Sequence, residues 1–554
     1  SGSEGKPAVT AQYRLTDPNG KITDWTTADK ITDLTSGKYV ITIRTVDEAG
    51  NYDKKEGTSY KLYIDNGTVS NITAAAKYKT NGSYAESDTA YGGEWTNKAL
   101  YLDVQTKAMS PIYYIEILKD GQVVKRVYDE GVTKYKDGNK QLTDNETQIG
   151  TSGTTGTSTG DLDKGYTFTY KYDIPEEDTD GANYDVNVVT RRSKEGTEVF
   201  VENQKWTSYG TTNHDAIVVN WDKTPPTFTT DNVKFEEVQN NAAQNLINTL
   251  TFGKFFKEGV KITATISDKN NNVNGSGVHY LYYTLSDGKN ADKSSKVEAG
   301  ARNENGSYEV SFTLSNDDVT NVSDLTLWAD DQVGNTMAED KRVTFNDFLI
   351  DTVDPQTEIT LEGTKPDDSN WYRSDVTVNV KGSDEKSGVK DITYTITKDG
   401  ENSVVKSDTW TAPTTSKANI VQENTLSYIL TGNGVYTIVA TSTDNAGRTQ
   451  TVTQKVSIDK TVPVVTLDKK ADSEDYTNNR WTAGPVTIKP SNSSENASGV
   501  TYYYKEVGTT ENVKPDAGAT AEALTNAGWT AIKADQVTDG VAFSQNQTKA
   551  YDFL

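Results

Sequence analysis

The chain has no cysteine among its 554 residues, only two methionines and only two histidines. Disulfides, zinc–thiolate sites and cysteine nucleophiles are therefore excluded. The two histidines, His214 and His279, lie far apart in the sequence. A serine hydrolase would have to be built around one of them, so solvated strand or turn histidines are the expected reading. Positive charge is also short: 56 Lys and Arg stand against 80 Asp and Glu, a net charge of −24. Such a surface repels phosphate backbones and anionic lipid, which disfavours nucleic acid and direct membrane binding. No apolar run approaches the roughly 18 residues that a spanning helix needs. Phosphate loops, dinucleotide fingerprints and EF-hand loops are absent. With 34% hydrophobic residues and more tyrosine than phenylalanine, the composition suits thin, half-solvated sheets.

What the chain does have is repetition. One phrase recurs as Ile64-Asp65-Asn66, Trp221-Asp222-Lys223-Thr224-Pro225-Pro226, Ile350-Asp351-Thr352-Val353-Asp354-Pro355 and Ile458-Asp459-Lys460-Thr461-Val462-Pro463. A second precedes three of these: Asp47-Glu48-Ala49-Gly50-Asn51, Asp331-Gln332-Val333-Gly334-Asn335 and Asp444-Asn445-Ala446-Gly447-Arg448. A third is Ser276-Gly277-Val278, Ser387-Gly388-Val389 and Ser498-Gly499-Val500. The marker aspartates are spaced by the length of a whole domain, which is too long for a solenoid repeat. The expected division is 1–67 (partial), 68–226 with an insertion, 227–355 with a short helical insertion, 356–463, and 464–554 (partial). Proline in the linkers 224–227, 353–356 and 461–464 fixes φ and stiffens each joint.

The unit 356–463 shows the pattern most cleanly. Val376, Val378 and Val380 alternate, as do Ile392, Tyr394 and Ile396, and Tyr436, Ile438 and Ala440. Six or seven such period-two runs in about 100 residues make an immunoglobulin-like sandwich, so the expected fold is all-β, with tandem sandwiches joined end to end. Trp95, Trp371 and Trp481 each precede a second strand; Trp25, Trp206, Trp410 and Trp529 are each followed by Thr after a third. Fixed stations point to core or sheet-edge lids rather than sugar platforms. Tyr39, Tyr184 and Tyr436, each opening a penultimate strand, have the placement of a tyrosine corner. In the third unit Phe252, Phe255 and Phe256 take the place of Trp371. Val238, Ala242, Leu246 and Leu250 there predict a short helix over 236–250. In the second unit Ser110-Pro111-Ile112 replaces Ser-Gly-Val, and Ser193 is expected at the station of the second-phrase aspartate.

Tyr436-Thr437-Ile438-Val439-Ala440, Asp444-Asn445-Ala446-Gly447 and Ile458-Asp459-Lys460-Thr461-Val462-Pro463 resemble the bacterial Ig-like repeats of large surface proteins in Gram-positive gut bacteria. Missing cysteine is consistent with export by such a cell. The resemblance covers nearly the whole chain and implies wall-attached stalks and adhesins; some similar gut proteins bind host immunoglobulin. It implies an extracellular, bacterial cell-surface location, with anchoring through regions outside 1–554. The chain begins and ends inside a repeat and is expected to be a piece of a longer protein. Its two incomplete end repeats are complementary, which suggests self-association.

No enzymatic activity is expected. Asp331 and Asp444 begin Gly-containing turns, and Asp268 and Asp384 precede the Ser-Gly-Val phrase. Turn formation explains each singly. Calcium is the sharper alternative, with Asp268, Asp331, Asp384 and Asp444 as candidate ligands at the domain ends. A ligand-binding candidate is the Gly/Thr-rich tract with Gln148, Thr151, Thr155 and Gly160, expected as a mobile loop on a rigid scaffold. Lys381 and Lys455 on strands are surface lysines, with an isopeptide cross-link as the weaker reading. The functional expectation is a non-catalytic stalk or adhesin for a host protein or glycan. The alternatives are a dedicated receptor for a host protein such as immunoglobulin and the accessory region of a secreted glycoside hydrolase.

Overall fold

The computed structural model describes residues 9–27, 30–130, 132, 142–151, 153–194, 197–208, 214–238, 254–401, 403–413, 420–494, 496–508, 515–516, 519–543 and 549–554. It is a series of mainly antiparallel sheets that pair, from residue 69 onward, in the tandem β-sandwich architecture; residues 10–64 form a single three-stranded sheet. Residues 356–458 show the plan. Gln356–Glu362, Val376–Ser383 and Glu423–Leu430 form one sheet. Trp371–Tyr372, Thr449–Ile458, Gly434–Asp444, Val389–Lys398 and Ser403–Thr411 form the other, in that order. Alternation drives the pairing: Val376, Val378, Val380, Ile392, Ile396, Ile438 and Ala440 all turn inward and are almost wholly buried between the sheets.

Residues 233–350 repeat this three-on-five order. Residues 69–221 widen it to a four-stranded and a seven-stranded sheet around Trp221, Phe168, Leu102 and Ile117. The short strand before the second long strand has one register throughout. Trp371 pairs in parallel with Ser457, Phe255 with Leu349 and Trp95 with Asn220. Phe255 thus occupies the Trp371 station, as the aromatic spacing predicts. At the corners, the Tyr39 hydroxyl lies 3.0 Å from Thr35 Oγ1, and Tyr436 donates to the Asn433 carbonyl at 3.4 Å.

Several expectations need correction. Gly156–Asp161, within the tract read as a mobile loop, is an edge strand paired with Gly165–Asp173. Its hairpin tip reaches back to the first sheet, where Lys38 and Lys61 pair with Asp163 at 2.7 and 3.0 Å and Tyr63 donates to it at 2.6 Å. Glu236 and Glu237 end the strand Val233–Glu237, so the helix expected over 236–250 does not include them; residues 239–253, with Ala242, Leu246, Leu250 and Phe252, lie outside the described residues. Helices occur instead at Ala521–Asn526 and Ala534–Asp539, where short polar-flanked segments gave no long helical period. Trp481, placed with Trp95 and Trp371 from its spacing, is 84% exposed and lies in no strand. Among the described residues no helix is long and apolar enough to cross a membrane.

Candidate functional site

The marker aspartates are joints. Each stands directly after the last strand of one unit and spans two chain segments. Asp222 accepts from Thr224 N at 3.1 Å through one oxygen and from Ser276 N at 2.6 Å through the other. Asp351 does the same with Val353 N at 3.0 Å and Ser387 N at 2.9 Å. Asp459 accepts from Thr461 N at 3.0 Å, and from Ser498 N and Oγ at 2.9 and 2.7 Å. Asp65 accepts from Ser110 Oγ. One carboxylate oxygen organises the proline-bearing linker and the other holds the Ser-Gly-Val turn of the next sandwich. The three phrases found separately in the sequence are one contact.

At the two central joints two further aspartates converge on the marker. Thr227 pairs with Ser267 and Gln356 with Ser383, so Asp268 and Asp384 leave their strands at the same point. Val278 pairs with Asp331 and Val389 with Asp444, which places those aspartates at the end of the penultimate strand. Carboxylate oxygens of Asp222, Asp268 and Asp331 lie within 4.8 Å of one another, as do those of Asp351, Asp384 and Asp444. All six side chains belong to residues no more than 5% exposed.

Turn formation is present as well. Asp331 Oδ1 accepts from Val333 N and Asn335 N at 3.0 and 2.8 Å, and Asp444 Oδ1 from Arg448 N at 2.8 Å. Asp268 Oδ2 accepts from Gly277 N at 2.6 Å, and Asp384 Oδ1 from Gly388 N at 2.7 Å. These bonds do not compensate for burial. Burial, reinforced by Asp222, pushes the Asp268 carboxyl up to about 7. Burial, opposed by the Arg448 amide and reinforced by Asp351 and Asp384, pushes Asp444 up to about 7. Asp331 and Asp384 are raised for the same first cause.

The outer joints differ. In the second unit, Ile112 pairs with Thr190, the match of Val278 with Asp331. The aspartate station is therefore Thr190, not Ser193: the strand Thr179–Lys194 runs on past this point into a hairpin with Thr197–Lys205, which spacing alone does not show. Met109 follows the paired residue Ala108, where Asp268 follows Ser267. Arg192 instead donates to the Asp65 carbonyl at 3.1 Å. At the last joint Ser493 N bonds to the Val464 carbonyl at 2.9 Å, so Ser494 holds the Asp268 station. A neutral network surrounds Asp459, with Ser494 Oγ donating to Asn496 at 2.7 Å and Asn496 Nδ2 to the Thr461 carbonyl at 2.5 Å.

The glycine of the Ser-Gly-Val turn is required by both backbone and space. Gly388 has φ +77°, and a Cβ there would meet Ile420 Cγ2 at 2.2 Å and the Val421 carbonyl at 2.9 Å. Gly388→Ala is expected to lower stability by about 1–3 kcal/mol, measured by chemical denaturation; a loss under about 0.5 kcal/mol would contradict the strained-turn reading.

The other sequence candidates are occupied structurally. Gln148 donates to the Asp129 and Val132 carbonyls at 3.1 and 2.7 Å. Thr151 Oγ1 donates to the Gln148 carbonyl at 2.7 Å, and Thr155 Oγ1 to the Lys171 carbonyl at 2.6 Å. Gly160, at φ +135°, lies where a Cβ would meet the Gly165 carbonyl. The structure does not bring these four together with the aspartates. Lys381 pairs with Glu423 and Lys455 with Asp399, at 2.7 and 2.8 Å, as partly exposed surface ion pairs. His214 stacks on Trp206, and His279 packs against Tyr280.

The chain is a region of tandem immunoglobulin-like β-sandwiches. Among solved structures, it is similar to a tetra-tandem repeat in the extending region of a large adhesion protein (15% identity, 82% of this chain and 93% of that chain, TM-score 0.29). It is also similar to the mouse nectin-like molecule 4 ectodomain, Ig1–Ig3 (11% identity, 71% and 94%, TM-score 0.23). A complex of Dpr2 Ig1–Ig2 with DIP-Theta Ig1–Ig3 also matches (10% identity, 66% and 94%, TM-score 0.23). No family model and no curated protein matches the chain.

Proposed function

We propose that this chain is a non-catalytic extracellular segment of a bacterial surface protein, an arm of sandwiches that carries or forms an adhesive surface for a host protein or glycan. The observation that carries this reading is one contact made at four successive boundaries: Asp65 to Ser110, Asp222 to Ser276, Asp351 to Ser387 and Asp459 to Ser498. A contact of fixed chemistry between the end of one unit and the turn of the next suits a spacer, whose work is to hold distance. Proline beside three of the four markers acts in the same direction. An acidic surface keeps such an arm soluble and away from anionic lipid.

Small-angle scattering on the full chain tests this. The expected profile is that of a rod with a maximum dimension several times its cross-section. The profile of a compact globule would overturn the arm. Capture from host secretions, compared with residues 356–463 alone, then tests adhesion; the ligand is expected to be retained by the full chain and not by the single unit.

A further inference from the structure

The six aspartates at the central joints are unlike a solvated acidic patch. In each cluster one enclosed oxygen accepts no hydrogen bond: Asp268 Oδ1 at one joint and Asp444 Oδ2 at the other, on residues 1% and 0% exposed. Among the described residues no Lys or Arg side chain forms an ion pair with Asp222, Asp268, Asp331, Asp351 or Asp444. Arg302 and Lys386 act on these clusters only through space, since their side chains donate to Asn274 and Asn316. Three carboxylates converging on a bare buried oxygen are costly in an interior and call for a cation.

We propose that each central joint binds one hard divalent cation, Ca²⁺, held by Asp222, Asp268 and Asp331 at one and by Asp351, Asp384 and Asp444 at the other. The donors are all oxygen, which selects a hard ion over a thiophilic or imidazole-bound metal. Several of those oxygens are already fixed by backbone N–H groups, so the set is irregular. Ca²⁺ accepts such a set, whereas Mg²⁺ demands near-ideal octahedral geometry and retains water. In each site one ligand comes from the strand end of the preceding sandwich and two from the next. The ion is thus a cross-link between neighbours, absent from either alone. The outer joints exclude it by composition: Met109 and Thr190 accompany Asp65, and Ser494 accompanies Asp459.

Calorimetric titration of the chelator-treated full chain with CaCl₂ tests the assignment. Two ions per chain are expected. Asp268→Asn and Asp444→Asn should each reduce this to one, and the double variant to none. Asp459→Asn, at a joint without the triad, should still bind two. Each asparagine removes buried charge, so far-UV circular dichroism and melting in EDTA should show these variants folded. Absence of binding at millimolar Ca²⁺, or two ions retained by the double variant, would overturn the proposal. So would loss of an ion in Asp459→Asn. A rod-like scattering profile with no calcium bound would leave the arm standing and remove this inference alone.

Discussion

Trp221→Ala is expected to cost about 3–5 kcal/mol, a large part of the ~5–15 kcal/mol that holds a domain folded. Trp221 is 2% exposed and heads the largest fully buried side chains of the molecule. It packs in the cluster with Leu102, Ile117, Phe168 and Tyr184. Its indole Nε1 also donates to the Lys98 carbonyl at 2.9 Å. Truncation opens a cavity and leaves that carbonyl without a partner, a further cost of about 1–3 kcal/mol where the group cannot reach water. Trp221→Phe separates the two effects, since it retains most of the packing and loses only the N–H; a cost near 1–2 kcal/mol is expected. Urea unfolding followed by far-UV circular dichroism measures both. An alanine variant within 1 kcal/mol of the parent chain would show that the cluster relaxes around the loss. The neighbouring Asp222 begins the joint, so a softened last strand should also loosen the grip on Ser276.

The sandwiches were legible because strands with one face buried write their period into the sequence. Val376, Val378 and Val380 alternate so cleanly that the sheet face follows from the letters. Phe255 was legible at the Trp371 station by its aromatic spacing, although Phe255 is buried in its core while Trp371 is only half-buried. The candidate site was half legible. Asp268, Asp331, Asp384 and Asp444 stood out by repetition, yet each had a complete local explanation in its own turn. Asp222 and Asp351 had been read as boundary markers, since nothing in spacing says that a strand end will meet the turn of the next unit. Their shared distance of five residues from the paired positions Thr227 and Gln356 was the available signal. Thr190 is not apparent from spacing because the strand Thr179–Lys194 runs on past the station into a hairpin with Thr197–Lys205, which displaces the count by three residues. The Gly/Thr tract misled because threonine-rich edge strands and loops share a composition. There Thr157 and Thr169 hydroxyls face each other at 2.7 Å and complete a ladder that hydropathy does not register.

In chelator, the protein is expected to lose stability as pH rises from about 5 to about 8, opposite to the usual behaviour of an acidic protein. An unfolded aspartate has a pKa near 3.9. Folding raises Asp268 and Asp444 to about 7, because burial among like charges favours the protonated form. Between these limits the unfolded chain releases a proton that the folded chain keeps. The folded state then binds more protons than the unfolded one, and stability falls with pH. The contribution is complete below about 4 and is lost through about 7. The whole span from 3.9 to about 7 would correspond to ~4 kcal/mol per group; structural relaxation and water entry reduce this to roughly 2–3 kcal/mol per joint. Acids with depressed values, such as Asp178 and Asp318, act in the opposite sense, but their effect is complete by about pH 5. The window from 5 to 8 therefore reports the triads. Thermal melts at pH 5.5 and 8.0 in EDTA should differ clearly for the parent chain and much less for the Asp268→Asn, Asp444→Asn double variant. A flat or rising parent curve, or an equal slope in the double variant, would mean that water or backbone donors already reach these carboxylates and that the joints carry no stored repulsion.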